Sequence, residues 1–273
     1  MNQRLLLPAM VLGSLLSPFL AGLPGSTAPA TAATPPAPAP TPSSELQRCA
    51  PPQPGRYVVM GQGESKGEPV ARLVSETWTA DGRISGVRME RRGRTYREMA
   101  YTGSYRPISL CRVAIERTYG QATSRSQAVL DLGGHPRYSL GTLPDVVVAS
   151  RWFRQSAGTC TASLLDGTVL SAQQGLSWKN GAWQPNAVVQ RESWQAGKVR
   201  GIAISSFGPT IGEATYKGTI SVTPDCLATV VEKDSLGVTY NYRGLVLADG
   251  SGYLYLQTDP NDLTVAWLER LKP

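Results

Sequence analysis

Short segments in which apolar and polar residues alternate recur along the chain from about residue 50 onward. The alternation is clearest in Cys226-Leu-Ala-Thr-Val-Val-Glu-Lys and in Gly252-Tyr-Leu-Tyr-Leu-Gln. A period of two residues puts successive side chains on opposite faces and so predicts β-strands. Further predicted strands, rich in Val, Ile, Thr and Tyr, are Arg56–Met60, Ala71–Thr79, Arg94–Tyr101, Cys111–Tyr119 and Val146–Phe153.

Two segments need separate interpretation. Asn180-Gly181, between Trp178 and Trp183, predicts a two-residue hairpin turn, because both residues adopt left-handed backbone conformations readily. The segment Asp262–Leu271 has apolar residues at helical spacing, but its counterpart in the repeat described next contains three consecutive valines. We therefore expect a strand there rather than a helix.

The chain contains an internal duplication. Tyr101 and Tyr216 each begin a Tyr-x-Gly-[Ser/Thr] motif with a cysteine ten positions on, at Cys111 and Cys226. Matches in the same order include Glu76-Thr-Trp78 with Glu192-Ser-Trp194, Gly82 and Gly86 with Gly197 and Gly201, and Trp152 with Trp267. Matches in a fixed order indicate two copies of one unit, at residues 49–158 and 159–273.

The pattern of each copy predicts an all-β fold. Each copy of about 110 residues holds eight or nine short strands at hairpin spacing, which is typical of an up-and-down antiparallel meander. Such a sheet removes its exposed edges by closing into a barrel. We therefore predict two tandem antiparallel β-barrels, with β-sandwiches as the alternative.

The first 48 residues predict export and a spacer. Residues 1–32 combine Arg4, an apolar run from Leu5 to Leu23 and small residues around Ala30, as in a cleaved signal peptide; a retained membrane anchor is the alternative. Residues 33–48 are rich in Pro, Ala and Thr, which favours an extended linker. We expect a secreted or periplasmic protein with no membrane span after cleavage.

The chain has four cysteines, and an oxidising compartment favours their pairing. If each copy is self-contained, Cys49 pairs with Cys111 and Cys160 with Cys226. The alternative, a zinc site, usually needs cysteines two to four residues apart, and the chain has no such pair. We therefore predict two disulfides and neither a metal nor a cofactor.

The motif Tyr-x-Gly-[Ser/Thr]…Asp-Cys…Thr-Val, followed by a glycine turn and Thr258-Asp259, resembles a class of bacterial exported proteins with a lipocalin-like barrel. The second copy fits better than the first, where Leu110 replaces Asp225 and Thr142-Leu-Pro-Asp145 replaces Thr258-Asp259. The resemblance implies the barrel fold, and a small molecule held in the barrel mouth.

Candidate catalytic groups are few. His135, the one histidine, lies between Gly134 and Pro136 in a predicted turn, so we expect no triad. Glu76 and Glu192 each precede a tryptophan by two residues and share its face; an inward carboxylate would have a raised pKa, whereas a rim carboxylate would pair with a nearby arginine. We predict no catalytic residue.

Aromatic residues recur in both copies, either for core packing or as the wall of a ligand pocket. The candidate ligand-binding residues are Trp78, Tyr101, Trp152, Trp194, Tyr216 and Trp267.

Charge separates the two copies. Residues 49–158 hold 16 Lys and Arg against 9 Asp and Glu, whereas residues 159–273 hold 9 against 10. Arginine captures planar and tetrahedral anions through its fork of N–H donors, although a solvated basic face with no partner has the same composition. The candidate anion-binding residues, on a predicted hairpin around Gly93, are Arg88, Arg91, Arg92, Arg94 and Arg97.

These observations favour an exported, non-enzymatic binding protein that carries a small apolar or amphiphilic ligand in a barrel. The alternative is an envelope or extracellular protein whose arginine face binds an anionic glycan, a lipid headgroup or an acidic protein. A third hypothesis is a small-barrel isomerase or cyclase using Glu76 or Glu192 as an acid. We expect no nucleic-acid partner, since the chain shows no binding motif for one, and the sequence predicts no particular oligomeric state.

Overall fold

A computed structural model describes residues 49–109, 111–207 and 210–271. The predicted signal peptide and linker, at residues 1–48, lie outside the described residues. Within the described residues no helix is long and apolar enough to cross a membrane.

The first barrel is a closed, eight-stranded antiparallel meander in which each strand pairs with the next and β8 pairs with β1. Its strands are β1 Gly55–Ser65, β2 Glu68–Trp78, β3 Arg83–Arg92, β4 Thr95–Pro107, β5 Arg112–Tyr119, β6 Ala122–Leu130, β7 Pro136–Gly141 and β8 Val146–Gln155.

The second barrel follows after a short 3-10 turn at Ala162–Leu165 and closes in the same way, with β16 paired to β9. Its strands are β9 Gly167–Lys179, β10 Ala182–Gln195, β11 Lys198–Phe207, β12 Thr210–Val222, β13 Leu227–Asp234, β14 Thr239–Val246, β15 Gly252–Gln257 and β16 Asp262–Arg270.

The prediction of two tandem meander barrels is confirmed, and the sandwich alternative is wrong. The segment from Asp262 is a strand, because its side chains alternate between the barrel interior and an outer face that is also buried. Asn180 and Gly181 form the β9–β10 turn with φ of 52° and 79°, the left-handed conformers that a two-residue hairpin needs.

Each barrel carries one disulfide. Cys49 is bonded to Cys111 and Cys160 to Cys226, with Cα–Cα distances of 5.7 Å and 4.9 Å. This is the pairing that the repeat predicted, and the described residues include no free cysteine. The second cysteine of each pair precedes the fifth strand of its barrel, so each bond braces the same end of the meander.

The two barrels belong to one compact unit and pack against each other through an apolar seam. The first barrel contributes the outer side of β1–β3, which we call the front face of a barrel. The second contributes the outer side of β14–β16, which we call the back face. The buried seam residues are Val58, Ala71, Leu73 and Met89 from the first barrel and Leu245, Leu247, Leu254, Leu256, Leu263 and Val265 from the second.

Candidate functional site

A buried carboxylate lies at the same place in each barrel. Glu76 on β2 and Glu192 on β10 point inward and are at most 1% exposed. Each accepts a hydrogen bond from the tryptophan two residues on: Trp78 Nε1 lies 2.6 Å from Glu76, and Trp194 Nε1 lies 2.7 Å from Glu192. The predicted shared face is therefore correct, and neither glutamate is a rim carboxylate.

A glycine opposite each glutamate makes room for a tyrosine. Gly86 pairs with both Glu76 and Tyr101, and Gly201 pairs with both Glu192 and Tyr216. A Cβ on Gly201 would collide with the Tyr216 ring, and one on Gly86 would collide with the Tyr101 hydroxyl. Each tyrosine therefore crosses its glycine and donates its hydroxyl to the glutamate.

The two barrels differ at the position six residues after the repeat cysteine. In the first barrel this is Arg117, which donates to Glu76 from Nε at 2.8 Å and from a terminal nitrogen at 3.0 Å. Burial alone would lower the pKa of Arg117, but the Glu76 carboxylate outweighs it and holds that pKa above its ordinary value. In the second barrel the corresponding residue is Glu232. A second buried acid therefore stands where the first barrel has the arginine that neutralises its glutamate.

Glu192 is left among neutral donors instead of a cation. It accepts hydrogen bonds from Gln190 at 2.9 Å, Tyr216 at 3.1 Å and Tyr253 at 3.0 Å. Burial raises the pKa of Glu192 to about 7 in spite of these donors. Burial and the charge of Glu192 also raise the pKa of Glu232 well above its ordinary value. The second barrel therefore holds protons on buried acids near neutral pH.

This arrangement predicts that Glu192 makes stability fall as the pH rises. The unfolded chain ionises Glu192 near pH 4.5 and the folded chain near pH 7, so the loss develops between these values and reaches about 3 kcal/mol. Glu192→Gln removes the titrating group and should flatten this dependence. Denaturant midpoints measured from pH 4 to pH 9 test the prediction, with surface Glu213→Gln as the control; equal slopes in both variants would contradict it.

The first barrel contains a cavity of about 500 Å³. It opens between the β1–β2, β3–β4, β5–β6 and β7–β8 turns, which an antiparallel meander brings to one end of the barrel. Arg117 lies at its floor, above the aromatic core. Among the described residues the wall has two carboxylates, Glu68 and Glu90, and seven cationic side chains: Lys66, Arg72, Arg88, Arg92, Arg97, Arg117 and Arg125.

One carboxylate serves three arginines in the wall of this cavity. Arg72 Nε lies 2.7 Å from Glu90, Arg92 lies 3.6 Å from it, and Arg88 also forms an ion pair with it. Arg88 is 6% exposed and its guanidinium stacks on the Tyr119 ring, 4.9 Å from the centroid. The Nε atoms of Arg88 and Arg92 find no acceptor among the described residues.

The local charge balance is therefore positive. Burial, together with the charge of Arg72, lowers the pKa of Arg88 to about 10. Burial, opposed by Tyr119 and reinforced by the charges of Arg92 and Arg117, lowers the pKa of Arg72 to about 10. Guanidiniums held this close together in a buried site favour an added anion.

The five arginines predicted to form one anion-binding face are divided by strand alternation. Arg88, Arg92 and Arg97 line the cavity. Arg91 points out of the barrel, where it is 1% exposed and donates to the Arg94 carbonyl at 2.8 Å. Arg94 is exposed, with its guanidinium 5.9 Å from the Trp178 ring of the second barrel. The expectation of a single arginine surface is therefore wrong.

The six candidate aromatic residues do not form the cavity wall. Trp78, Tyr101 and Trp152 belong to the packed core of the first barrel, and Trp194 and Tyr216 pack in the core of the second. Trp267 lies outside the second barrel in the seam, where its ring is 5.0 Å from that of Phe153. The match of Trp267 with Trp152 is therefore off by one residue, and such an offset reverses the face of a strand; its neighbour Leu268 points inward.

His135 occupies the turn predicted for it. Its backbone N–H donates to Asp131 at 2.9 Å, and its ring nitrogen Nδ1 lies 3.2 Å from the Tyr57 hydroxyl. Within the described residues no group of three or more His, Cys, Asp or Glu side chains could hold a metal ion.

Sequence reasoning missed Arg72, Glu90, Arg117 and Tyr119. The signal for Arg117 was available, since Val113, Ile115 and Arg117 alternate along β5 and the two apolar residues are buried. An arginine that continues an inward apolar series points into the barrel.

Comparisons with known proteins place the chain in no family. It matches no protein-family model and no curated protein. One similar solved structure is a protein of unknown function of the DUF3598 family from Nostoc punctiforme PCC 73102, at 11% identity over 83% of this chain and 97% of that one, with a TM-score of 0.25. Another is MucB in complex with MucA(peri), at 12% identity over 84% and 91%, with a TM-score of 0.20.

Proposed function

We propose that this protein is an extracytoplasmic binding protein whose first barrel holds a small anionic molecule. The observation that carries the proposal is the cavity of about 500 Å³ with three arginines around one carboxylate. Pockets for small molecules commonly enclose about 300–1,000 Å³ and carry a few converging polar groups.

The charge of the site argues for an anion. A buried donor without an acceptor costs free energy, and a buried charge without a partner costs more. Glu90 neutralises one of its three arginines, and Arg117 is already matched by Glu76. A bound carboxylate, phosphate or sulfate would accept the free N–H groups of Arg88 and Arg92 and balance the remaining charge.

The rest of the wall favours a ligand with an apolar part. Val59, Val74, Met99, Leu143 and Val148 line the same cavity between the charged groups. An amphiphile could place its anionic group on the arginines and its carbon chain along these side chains. The resemblance to exported proteins with lipocalin-like barrels supports the same mode, with the ligand entering through the barrel mouth.

The two disulfides support an extracytoplasmic compartment. Two bonds that close 62 and 66 residues are typical of proteins folded in oxidising surroundings. With the predicted signal peptide, they support a secreted or periplasmic location.

The alternative functions have less support. Binding of an anionic surface would need the arginines on one face, but Arg91 and Arg94 point away from the cavity that Arg88, Arg92 and Arg97 line. For an isomerase or cyclase, the acid proposed in the first barrel, Glu76, is bound by Arg117 and does not line the cavity.

The proposal predicts the effect of one substitution. Octyl phosphate should bind the wild-type chain, and Arg88→Gln should weaken it about tenfold or more, because a hydrogen bond to a charged group contributes about 1.5–3 kcal/mol. Isothermal titration calorimetry measures the affinity. The matched control is Arg94→Gln, at an exposed arginine outside the cavity, which should bind like wild type.

Octanol has the same carbon chain without the phosphate and should bind far more weakly. Equal affinities for octyl phosphate in Arg88→Gln and Arg94→Gln would contradict the proposal, as would equal binding of octanol and octyl phosphate. Native mass spectrometry of the chain purified from its own host, compared with the denatured mass, would identify the natural ligand.

A further inference from the structure

The seam joins two faces that are not equivalent in the repeat. The first barrel uses its front face, on β1–β3, and the second uses its back face, on β14–β16. This leaves the back face of the first barrel, on β6–β8, and the front face of the second, on β9–β11. Both remaining faces carry exposed apolar side chains, interspersed with charged ones such as Arg151 on the back face and Arg191 on the front face.

The back faces correspond residue by residue. The N–H of Leu130 donates to the Cys111 carbonyl, and the N–H of Val246 donates to that of Cys226, so these positions are equivalent. Strand pairing extends the match, since Val129 lies opposite Tyr138 and Leu245 lies opposite Leu254. The seam residues Leu245, Leu254, Leu256, Leu263 and Val265 thus correspond to Val129, Tyr138, Leu140, Val147 and Ala149.

The back-face residues of the second barrel are buried in the seam, whereas their counterparts on the first barrel are exposed. Leu254 and Leu256 are fully buried in the seam, whereas their counterparts Tyr138 and Leu140 are 58% and 61% exposed. The free back face is also concave, with a groove of about 660 Å³ between Met60, Tyr138, Leu140 and Ala149. Exposed apolar side chains that line a groove commonly belong to an interaction surface.

The front faces correspond in the same way. Trp78 matches Trp194 and Gly86 matches Gly201, which makes Val189 the counterpart of Leu73 and Ile204 the counterpart of Met89. Leu73 and Met89 are fully buried in the seam, whereas Val189 and Ile204 are 49% and 47% exposed. Leu170 and Ile211, the counterparts of Val58 and Tyr96, extend the exposed apolar face.

We propose that the chain associates head to tail with a second copy of itself. The back face of the first barrel in one molecule packs on the front face of the second barrel in the next, and so repeats between chains the contact that the seam makes within one. The contact is heterologous, because different surfaces meet. Such contacts build a ring where the rotation closes and an open filament where it does not.

Analytical ultracentrifugation of the full chain tests this proposal. The 29.2 kDa chain should form species larger than a monomer, in amounts that rise with concentration. Leu140→Asp on the free back face and Ile204→Asp on the free front face should each abolish this association. Leu236→Asp, at an exposed leucine in the β13–β14 turn, is the matched control and should associate like wild type.

Mixing the two variants tests the geometry. Leu140→Asp keeps an intact front face and Ile204→Asp keeps an intact back face, so an equimolar mixture should form a one-to-one dimer that cannot grow. If the contact joined two identical faces, the variant with that face intact would still form a dimer with itself. Mixing the two variants would then form no one-to-one dimer of the two.

Three results would overturn the proposal. A wild-type chain that stays monomeric up to about 1 mM would exclude a useful contact. Association that survives both substitutions would come from another region, residues 1–48 included. A mixture of the two variants without a dimer would exclude the head-to-tail arrangement.

Discussion

Arg117→Met should destabilise the protein by about 3–5 kcal/mol. The substitution keeps a long side chain but removes the only cation that contacts Glu76 among the described residues, and Glu76 is 1% exposed. Breaking a buried ion pair on one side leaves an uncompensated charge, which costs about this much. Denaturant unfolding followed by tryptophan fluorescence measures the loss, since Trp78 and Trp152 pack beside the pair.

A surface pair supplies the control for this substitution. Arg125 and Glu116 are joined at 2.7 Å, but both side chains are about half exposed, so Arg125→Met should cost no more than about 1 kcal/mol. Adding Glu76→Gln to Arg117→Met removes the stranded charge and should restore part of the lost stability. If Arg117→Met costs no more than Arg125→Met, the buried pair does not stabilise the barrel.

Removing the second disulfide by Cys160→Ala and Cys226→Ala should cost about 4 kcal/mol. The bond closes 66 residues, and chain entropy assigns about this value to a loop of that length. Both cysteines are nearly inaccessible, so alanine leaves only a small void. Urea unfolding of the double variant and of wild type gives the difference.

The corresponding variant of the first barrel is Cys49→Ala with Cys111→Ala. The bond that it removes closes 62 residues, so this variant should lose a similar amount of stability. Reducing agent should destabilise the wild type while leaving a variant that lacks all four cysteines unaffected. A loss below about 1 kcal/mol in either double variant would show that its bond does not restrain the unfolded chain.

The fold was predictable because two independent patterns agree. Alternation in segments such as Cys226–Lys233 requires strands, and the duplicated Tyr-x-Gly motif sets the length of one closed unit. The same motif selected the cysteine pairing. Local sequence patterns and the repeat were therefore sufficient to predict the two barrels, the disulfides and the Asn180-Gly181 turn.

The candidate site was harder to predict from the sequence, because it depends on contacts between strands that lie far apart in the chain. Arg88, Arg91 and Arg92 are neighbours in the chain, yet alternation points Arg91 out of the barrel and the other two into the cavity. Arg72 and Glu90 meet across 18 residues, and Arg117 reaches Glu76 across 41. Only the register of the paired strands reveals such contacts.

Trp267 shows the same limit at the scale of one residue. Aligning it with Trp152 is natural in sequence, since both are late tryptophans in their copies. The strand register instead makes Arg151 the counterpart of Trp267, because Tyr138 pairs with Arg151 where Leu254 pairs with Trp267. A tryptophan expected inside a barrel therefore became part of the contact between barrels.

The exchange of Arg117 for Glu232 means that the two barrels are not interchangeable parts. Both barrels have the same tryptophan, tyrosine and glycine around a buried glutamate. Beside that glutamate the first barrel has a cation, Arg117, and the second barrel has a further acid, Glu232. This one position gives the first interior an ion pair and the second a pair of acids whose pKa values are raised by burial, so a chimera that moves strand β5 into the second barrel would place an arginine beside Glu192.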